Sequence, residues 1–303
     1  MGAQLRAVRR RIKTVQSTAK ITRAQELIAS SRIIKAQQRV QAAGPYAREI
    51  TRAVEAVVSR SSQVRHPLTS EHENPSRAAV LILTSDRGFC GGYNASVLRE
   101  AQGLRGLLEQ RGLEAVPFVA GRKGIGWHRF RDREMAGEWS GFSDTPVHAN
   151  AGEITSALID AFGKPAAEGG VDEIHIVYTE FVSMLTQRPV IRRLLPLEIE
   201  ETTEEPATGP VPVYEFEPSP EAVLNALLPW YVESRIFHAL LDSAAAEIAA
   251  RRKAMKSATD NANDLLDALT REANKARQAE ITQEISEIVG GANALAETIA
   301  GSK

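Results

Sequence analysis

A proline-free segment runs from Lys253 to Ile299 and contains the sequence Ile281-Thr282-Gln283-Glu284-Ile285-Ser286-Glu287-Ile288-Val289-Gly290-Gly291-Ala292-Asn293-Ala294. Upstream, as far as Val223, apolar residues recur at steps of three, four or seven, which is typical of a helix that supercoils around a partner. These residues are Leu227, Trp230, Phe237, Leu241, Ala244, Ile248, Met255, Ala258, Ala262, Leu265 and Leu269. The pattern predicts one long C-terminal helix with a coiled-coil seam.

The apolar spacing changes phase near Arg277-Gln278. A second stripe then follows, made of Ile281, Ile285, Ile288, Ala292 and Leu295. Because the two stripes fall on different faces of one helix, this helix is predicted to contact two different partners.

Residues 4 to about 58 predict a second long helix, with a bend or local break at Gly44-Pro45. Its first apolar positions are Leu5, Val8, Ile12 and Val15. The first forty residues carry ten basic side chains against the single acid Glu26. Three interpretations remain open: an arm that binds nucleic acid or anionic lipid, a solvated coiled-coil face, or a surface that contacts an acidic protein.

Between these helices the pattern changes to short apolar runs separated by amphipathic segments. Strands are predicted at Ala78–Thr84, Ala115–Ala120, Glu173–Phe181 and Arg188–Leu197, and helices at Asn94–Gln110, near Trp127 and at Ala151–Phe162. An acidic loop at 198–210 and a short strand at 211–217 follow. Ser219 is the predicted N-cap of the last helix, with a proline at its first position. The alternation predicts a small α/β domain with a largely parallel sheet.

The predicted fold class is therefore α/β plus a long antiparallel coiled coil formed by the N- and C-terminal helices. Its parts are a coiled-coil helix at 1–58, a Rossmann-like domain at 77–217, and a C-terminal helix with its tip at 218–303. The helices would reach roughly 80 and 120 Å, which sets Leu5 beside about residue 272. The second stripe then has no helix of its own chain to pack on, and is predicted to insert into another protein.

Composition and motifs give no sign of catalysis. The chain has 43% hydrophobic residues, a net charge of -1 and one cysteine, Cys90. It has neither an apolar run of about 18 residues nor a visible signal peptide. The glycine-rich turns Ser85–Asn94 and Gly121–Gly126 match neither the dinucleotide fingerprint nor the Walker A spacing. We therefore predict no catalytic residue, cofactor or metal site.

Five motif groups carry a family resemblance. They are Ile281-Thr282-x-Glu284-x-x-Glu287-x-x-x-Gly291-Ala292-x-Ala294; Met255–Ala262; Asn274–Gln278; Lys20–Ala24 with Lys35–Gln37; and Ser85–Gly88 with Cys90–Gly92 and Asn94. In their order along the chain, and over nearly its whole length, these motifs resemble the gamma subunit family of F-type ATP synthase. The resemblance implies a non-catalytic central rotor shaft that couples proton-driven rotation of the c-ring to ATP synthesis in the alpha–beta hexamer.

The resemblance also implies partners and contact residues. One copy would serve three alpha–beta pairs, and the α/β domain would form a foot with the epsilon subunit on the c-ring. The hexamer contacts would be Gln25, Arg277, Gln278, Thr282, Glu284, Ile285, Ile288 and Ala292. Tyr214 and Glu217 would lie at the foot, near the ring.

Two departures refine this expectation. Gln25 stands where many members have methionine, so that contact would be more polar here. No inserted segment carries a pair of cysteines, and with no transit peptide visible this favours a bacterial subunit, peripheral to the cell membrane on its cytoplasmic side. Two hypotheses of other classes remain: a basic coiled-coil protein that binds nucleic acid, and a nucleotide-using α/β enzyme built around Ser85–Asn94.

Overall fold

The computed structural model describes residues 2–60, 74–165, 168–197, 217 and 219–300, with the side chains of residues 2, 3, 58–60, 221 and 293–300 left aside. The elements in chain order are α1 Gly2–Arg60, β1 Arg77–Leu83, α2 Tyr93–Gln110, β2 Glu114–Ala120, α3 Arg122–Arg129, β3 Gly137–Trp139, α4 His148–Phe162, β4 Glu173–Phe181, β5 Gln187–Leu195 and α5 Pro220–Ala300. The predicted fold class, an α/β domain between two long terminal helices, is confirmed.

The sheet has the strand order β3-β2-β1-β4-β5. The first four strands in this order run parallel, and β5 runs antiparallel to β4. Strand β1 is buried along almost its whole length, which explains its continuous apolar sequence. Strand β3 was not predicted from the sequence, and its three residues pair with Phe118–Ala120.

The two faces of the sheet bury separate clusters. One face places Leu81, Phe118 and Ile176 against Ile154 of α4 and Ile236 of α5. The other face is covered by α2 and α3, and its cluster contains Val80, Ile82, Val97, Leu108 and Ile125. The middle of α5 is therefore part of the core of the α/β domain.

Two compact units divide the described chain, one made of residues 29–253 and the other of residues 2–28 with 254–300. In the first unit, Val54 and Val57 pack on Leu224 and Leu228. Further along, Ala29 and Ile33 pack against Ala245 and Ile248. These pairs run in opposite directions along the two helices, so α1 and α5 are antiparallel. The predicted boundaries at 58, 77 and 217 follow the helices and strands instead of these units.

In the second unit, a seam of buried residues joins the start of α1 to the later part of α5. Its members are Leu5, Val8, Ala19, Thr22, Glu26, Met255, Thr259, Ala262 and Leu269. The hydroxyl oxygens of Thr22 and Thr259 lie 2.7 Å apart within it. This contact fixes which turns of the two helices lie side by side.

Helix ends follow the expected capping rules at one position and depart at another. Ser219 Oγ accepts a hydrogen bond from the backbone N–H of Ala222 at 3.2 Å, and Pro220 is the first helical residue, so the predicted N-cap is confirmed. The predicted break at Gly44-Pro45 is absent, because α1 continues through Pro45. Packing on both sides of this point holds the helix together despite the missing N–H. Among the described helices, none combines enough length with the apolar character needed to span a bilayer.

Candidate interaction surface at the end of the C-terminal helix

The buried seam of α5 stops well before the helix does. Leu269 is its last buried residue, and Ala273, Ala276 and Glu280 are half-buried. Every residue from 281 to 292 is exposed. We call this segment, residues 281–292, the tip.

The tip presents a stripe of large apolar side chains to solvent. Ile281, Ile285, Ile288 and Val289 are 45%, 56%, 72% and 52% exposed. Together with Ala292 they form the tip stripe, which covers roughly 100° of the helix circumference. Leu295, the last residue of the predicted stripe, lies outside the described side chains.

The tip stripe lies on a different face of α5 from the seam. At 3.6 residues per turn, its centre is rotated by roughly 110° or more from the line through Met255, Ala262 and Leu269. The predicted change of phase is therefore present in the burial pattern. Val289 also belongs to the tip stripe. The predicted stripe did not include it, because only one apolar residue was taken at each interval of three or four.

The pairing of Thr22 with Thr259 shows how far α5 extends beyond α1. Continued along both helices, it sets Leu5 beside about residue 276, one turn beyond the predicted position near 272. Counted from the start of α1, roughly 20 residues of α5 remain, or about 30 Å. In the second unit, the tip therefore has no described helix beside it.

Polar candidate residues flank the tip stripe on both edges. Arg277 and Glu284 fall on one edge and Thr282 on the other, whereas Gln278 lies in line with the stripe just before its first residue, and all four are exposed. The Thr282 hydroxyl donates to the backbone carbonyl of Gln278 at 2.9 Å. An apolar centre with a polar rim is the usual anatomy of a protein–protein interface.

Gln25 does not join this group. It is exposed on α1, three residues from Thr22, and therefore lies near residue 256 of α5. Along the helix axis this is roughly 30 Å from Arg277. The structure thus separates the candidate contacts into an isolated polar position and a continuous patch at the tip.

The candidate foot residues are only partly covered by the structure. Glu217 is exposed, two residues before the N-cap of α5. Tyr214, the predicted strand at 211–217 apart from Glu217, and the acidic loop at 198–210 lie outside the described residues.

The basic side chains of α1 point outward. Arg9, Arg10, Arg11, Lys13 and Lys20 are exposed and form no ion pair with any described residue. The face they form has the same sign along several turns. This positive face is complementary in charge to an acidic protein surface and equally to a polyanion.

Asp86 of the glycine-rich turn Ser85–Asn94 is held by backbone donors of neighbouring segments. Its carboxylate accepts from the backbone N–H groups of Arg122, Gly141 and Ser143 at 3.1, 2.7 and 3.0 Å. The N–H of Arg122 lies at the start of α3, where a bound phosphate would seek a donor. Because the Asp86 carboxylate already uses these three donors, they are not open to an anion.

Cys90 is buried within this turn, 3.6 Å from Ser85 Oγ and 3.2 Å from Asn94 Nδ2. Neither contact supplies a base that could activate the thiol, which fits a packed cysteine. No cluster of three His, Cys, Asp or Glu side chains is placed to hold a metal ion within the described residues.

Comparison with known proteins agrees with this geometry. A family model described as ATP synthase matches residues 4–295. The ATP synthase gamma chain of Acidothermus cellulolyticus is 62% identical over 298 residues, which cover 98% of this chain and 99% of that protein. The gamma chain from Thermobifida fusca is 58% identical over 306 residues and covers both chains completely.

Solved structures share the fold at much lower identity. A chain of the Euglena gracilis mitochondrial ATP synthase, determined as OSCP/F1/c-ring in rotational state 3, superposes with a TM-score of 0.67 at 16% identity, covering 97% of this chain and 95% of that one. A chain from the central stalk and c-ring of the Tetrahymena thermophila enzyme gives a TM-score of 0.57 at 22% identity, covering 78% and 99%.

Proposed function

This chain belongs to the ATP synthase gamma-chain family, and on that basis we propose that it is the central rotor subunit of an F-type, proton-translocating ATP synthase. In this role it turns with a membrane-embedded ring of c subunits and drives the catalytic sites of an alpha–beta hexamer. The subunit itself binds no nucleotide and performs no chemistry. It sits at the cytoplasmic face of a bacterial cell membrane as a peripheral protein.

The tip is the part that enters the hexamer. The observation that carries this proposal is the tip stripe, a row of exposed isoleucines on a stretch of α5 that extends beyond the start of α1. A protein surface that exposes such a stripe gains free energy when a partner covers it. Arg277, Gln278, Thr282 and Glu284 then supply polar contacts at the rim.

Torque reaches the tip along α5. This helix is continuous from Pro220 to Ala300, and its segment around Ile236 is buried in the α/β core. A helix that is held by a packed core at one level cannot turn independently of that core. Rotation of the α/β domain by the ring, through a foot that includes Tyr214, Glu217 and the epsilon subunit, is thereby passed to the hexamer.

The basic face of α1 has a place in this function. Lys20 and the arginines near residue 10 would face acidic segments of the beta subunits as the shaft turns. Surface charges of this kind guide and position a partner more than they hold it. The relatives named above are ATP synthase gamma chains, so they do not support nucleic-acid binding, the alternative for this face.

Reconstitution tests the proposal. The chain is mixed with alpha and beta subunits from the same source, and the product is analysed by native mass spectrometry and by ATP hydrolysis. We expect one copy per three alpha–beta pairs and an activity that depends on the chain. Failure of correctly folded subunits to form this complex would contradict the rotor function.

The double variant Ile285→Asp/Ile288→Asp tests the role of the tip stripe. Two carboxylates buried against an apolar surface of the hexamer should weaken assembly by several kcal/mol, since buried charges without partners are costly. Gln283→Asp/Ser286→Asp adds the same charges to the opposite, exposed face of the tip and serves as the matched control. Equal assembly of the two double variants would exclude insertion through the tip stripe.

A further inference from the structure

A cleft of about 480 Å³ opens on the sheet face that α2 covers, between this helix and the segment that follows α3. Its floor is apolar and includes Val80, Ile82 and Ala115, which belong to the cluster on this face of the sheet. This volume lies within the range of pockets that bind small organic molecules. No part of the rotor function uses the cleft.

The charged groups around the cleft leave one cation without a carboxylate. Arg77 pairs with Glu114 at 2.9 Å, and Arg105 pairs with Glu109 at 2.6 Å. Arg133, which also lines the cleft, forms no ion pair with any described residue. Its Nη1 donates to the amide oxygen of Gln102 at 2.6 Å, so a neutral group fixes the guanidinium in place.

Arg133 is crowded by other cations. The guanidinium carbons of Arg131 and Arg133 lie 4.1 and 5.1 Å from the centre of the Trp127 ring. Partial burial, followed by the charges of Arg105 and Arg131, lowers the pKa of Arg133, and the charge of Glu109, the smallest of these effects, raises it. An anion bound at this point would therefore compensate for the lost hydration of the guanidinium and would offset the repulsion between the arginines.

The remaining titratable groups that line the cleft do not neutralise the positive charge of Arg133. His128 is buried in the cleft wall, with Nδ1 3.0 Å from the carbonyl oxygen of Gly124. Burial, followed by nearby arginines, lowers its pKa, so the ring is neutral at pH 7. Glu134 lines the cleft but is exposed, and water screens its charge.

We propose that this cleft binds an amphipathic organic anion, with its charged head on Arg133 and its apolar body on the floor formed by Val80, Ile82 and Ala115. The guanidinium has five N–H donors and uses one on Gln102, which leaves a fork free for a carboxylate or sulfonate. The apolar floor selects against small inorganic ions, which cannot cover it.

Trp127 provides a built-in reporter for the test. The full-length chain is titrated with the aromatic sulfonate 1-anilinonaphthalene-8-sulfonate, and energy transfer from tryptophan to the dye is measured. The signal of a Trp127→Phe variant is subtracted, which removes dye bound near Trp139, Trp230 or the tip. We expect saturable transfer from Trp127.

Three variants identify the binding group. Arg133→Gln should weaken dye binding about tenfold, the loss expected for one charge-assisted interaction. Arg133→Lys keeps the charge without the fork and should fall between this variant and the wild type. Arg129→Gln is the matched control, since Arg129 pairs with Glu138 and does not line the cleft. Circular dichroism verifies that each variant is folded.

Competition defines the ligand class. Octanoate should displace the dye, whereas octanol and inorganic phosphate at the same concentration should not. Displacement by octanol would show a purely apolar cleft, and displacement by phosphate would show that the floor contributes nothing. Either result, absence of transfer from Trp127, or equal dye affinity in Arg133→Gln and Arg129→Gln would overturn the proposal.

Discussion

Thr22 and Thr259 place two hydroxyl groups in the buried seam. Their oxygens lie 2.7 Å from each other and 3.1 and 2.9 Å from the carbonyl oxygens of Ala19 and Met255. One hydroxyl donates to the other, and the second donates to the carbonyl beside it, so both buried oxygens are satisfied. Thr259→Val keeps the shape but removes one partner. We expect the free energy of unfolding to fall by about 1 kcal/mol in urea denaturation followed by circular dichroism.

Thr270→Val is the control for this substitution. Its hydroxyl makes the same kind of bond, to Leu266 at 2.7 Å, but is exposed. Its loss should change stability by less than about 0.5 kcal/mol. The double variant Thr22→Val/Thr259→Val should recover stability, because an apolar pair replaces both polar partners. A larger loss in the double variant than in Thr259→Val would refute this account of the pair.

Asp242 is another buried polar residue, and no described side chain offers it a counter-ion within hydrogen-bonding range. Burial and the neighbouring charge of Glu180 raise its pKa to about 7, and the nearest imidazole nitrogen, on His238, is 3.8 Å away. Since the folded state holds this proton more tightly than the unfolded chain, stability declines as pH rises from about 4 to about 7. Above pH 7 the penalty is complete.

Asp242→Asn should remove this penalty. At pH 8 we expect the variant to be more stable than the wild type by on the order of 2 to 4 kcal/mol, and at pH 4 to be similar. Thermal unfolding across this pH range measures the difference. Asp160→Asn, at an exposed position, is the control and should leave the pH profile unchanged. Parallel profiles for Asp242→Asn and the wild type would contradict the prediction.

At the scale of the elements, the link between β2 and α3 depends on one backbone conformation. Gly121 has φ +103, and a Cβ there would lie 2.2 Å from the carbonyl oxygen of Thr84. Gly121→Ala should therefore lower stability by about 3 kcal/mol or more, as judged from the thermal midpoint. Gly126, exposed in α3 with open space around it, is the matched site. Gly126→Ala should be neutral or stabilising, and a similar loss at both positions would argue against local strain.

The elements that could be predicted from the sequence are those whose own pattern was strong. Strand β4 was predicted with its observed bounds, and α2 and β2 to within one residue, because long apolar runs and turn residues mark them. Strand β3 could not be predicted, because its three residues, Gly137-Glu138-Trp139, are too few to show an alternating apolar pattern. The continuity of α1 through Pro45 was also missed, because packing of the neighbouring turns on α5 outweighs a local preference.

The candidate contacts were predictable to different degrees. The tip stripe follows from spacing alone, and the structure shows it exposed. The role of Arg277, Gln278, Thr282 and Glu284 stays a prediction, because it depends on a partner surface. The cleft beside Arg133 could not be found from the sequence, since the topology of the sheet brings its residues together from four separate segments.

At the scale of the whole molecule, folding and partner binding are expected to be separable. Residues 281–292 are exposed, so they add little to the folded core. A chain that ends at Glu280 should keep its thermal midpoint to within about 2 °C and lose assembly with the hexamer. Calorimetry and native mass spectrometry measure the two effects. A large drop in the midpoint would show that the end of α5 is packed within the subunit.

In the proposed rotor, the end of α5, which has no described helix beside it, also determines where the turning moment acts. A single helix with its side chains has a radius of about 5 to 6 Å. A tangential push from a surrounding sleeve acts on that short lever arm and delivers little turning moment. The paired section of the two helices is wider and offers a longer arm for the same push. In the proposed rotor, the end of α5 would therefore act as a pivot that keeps the axis centred, and the turning moment would be exerted where the two helices run side by side.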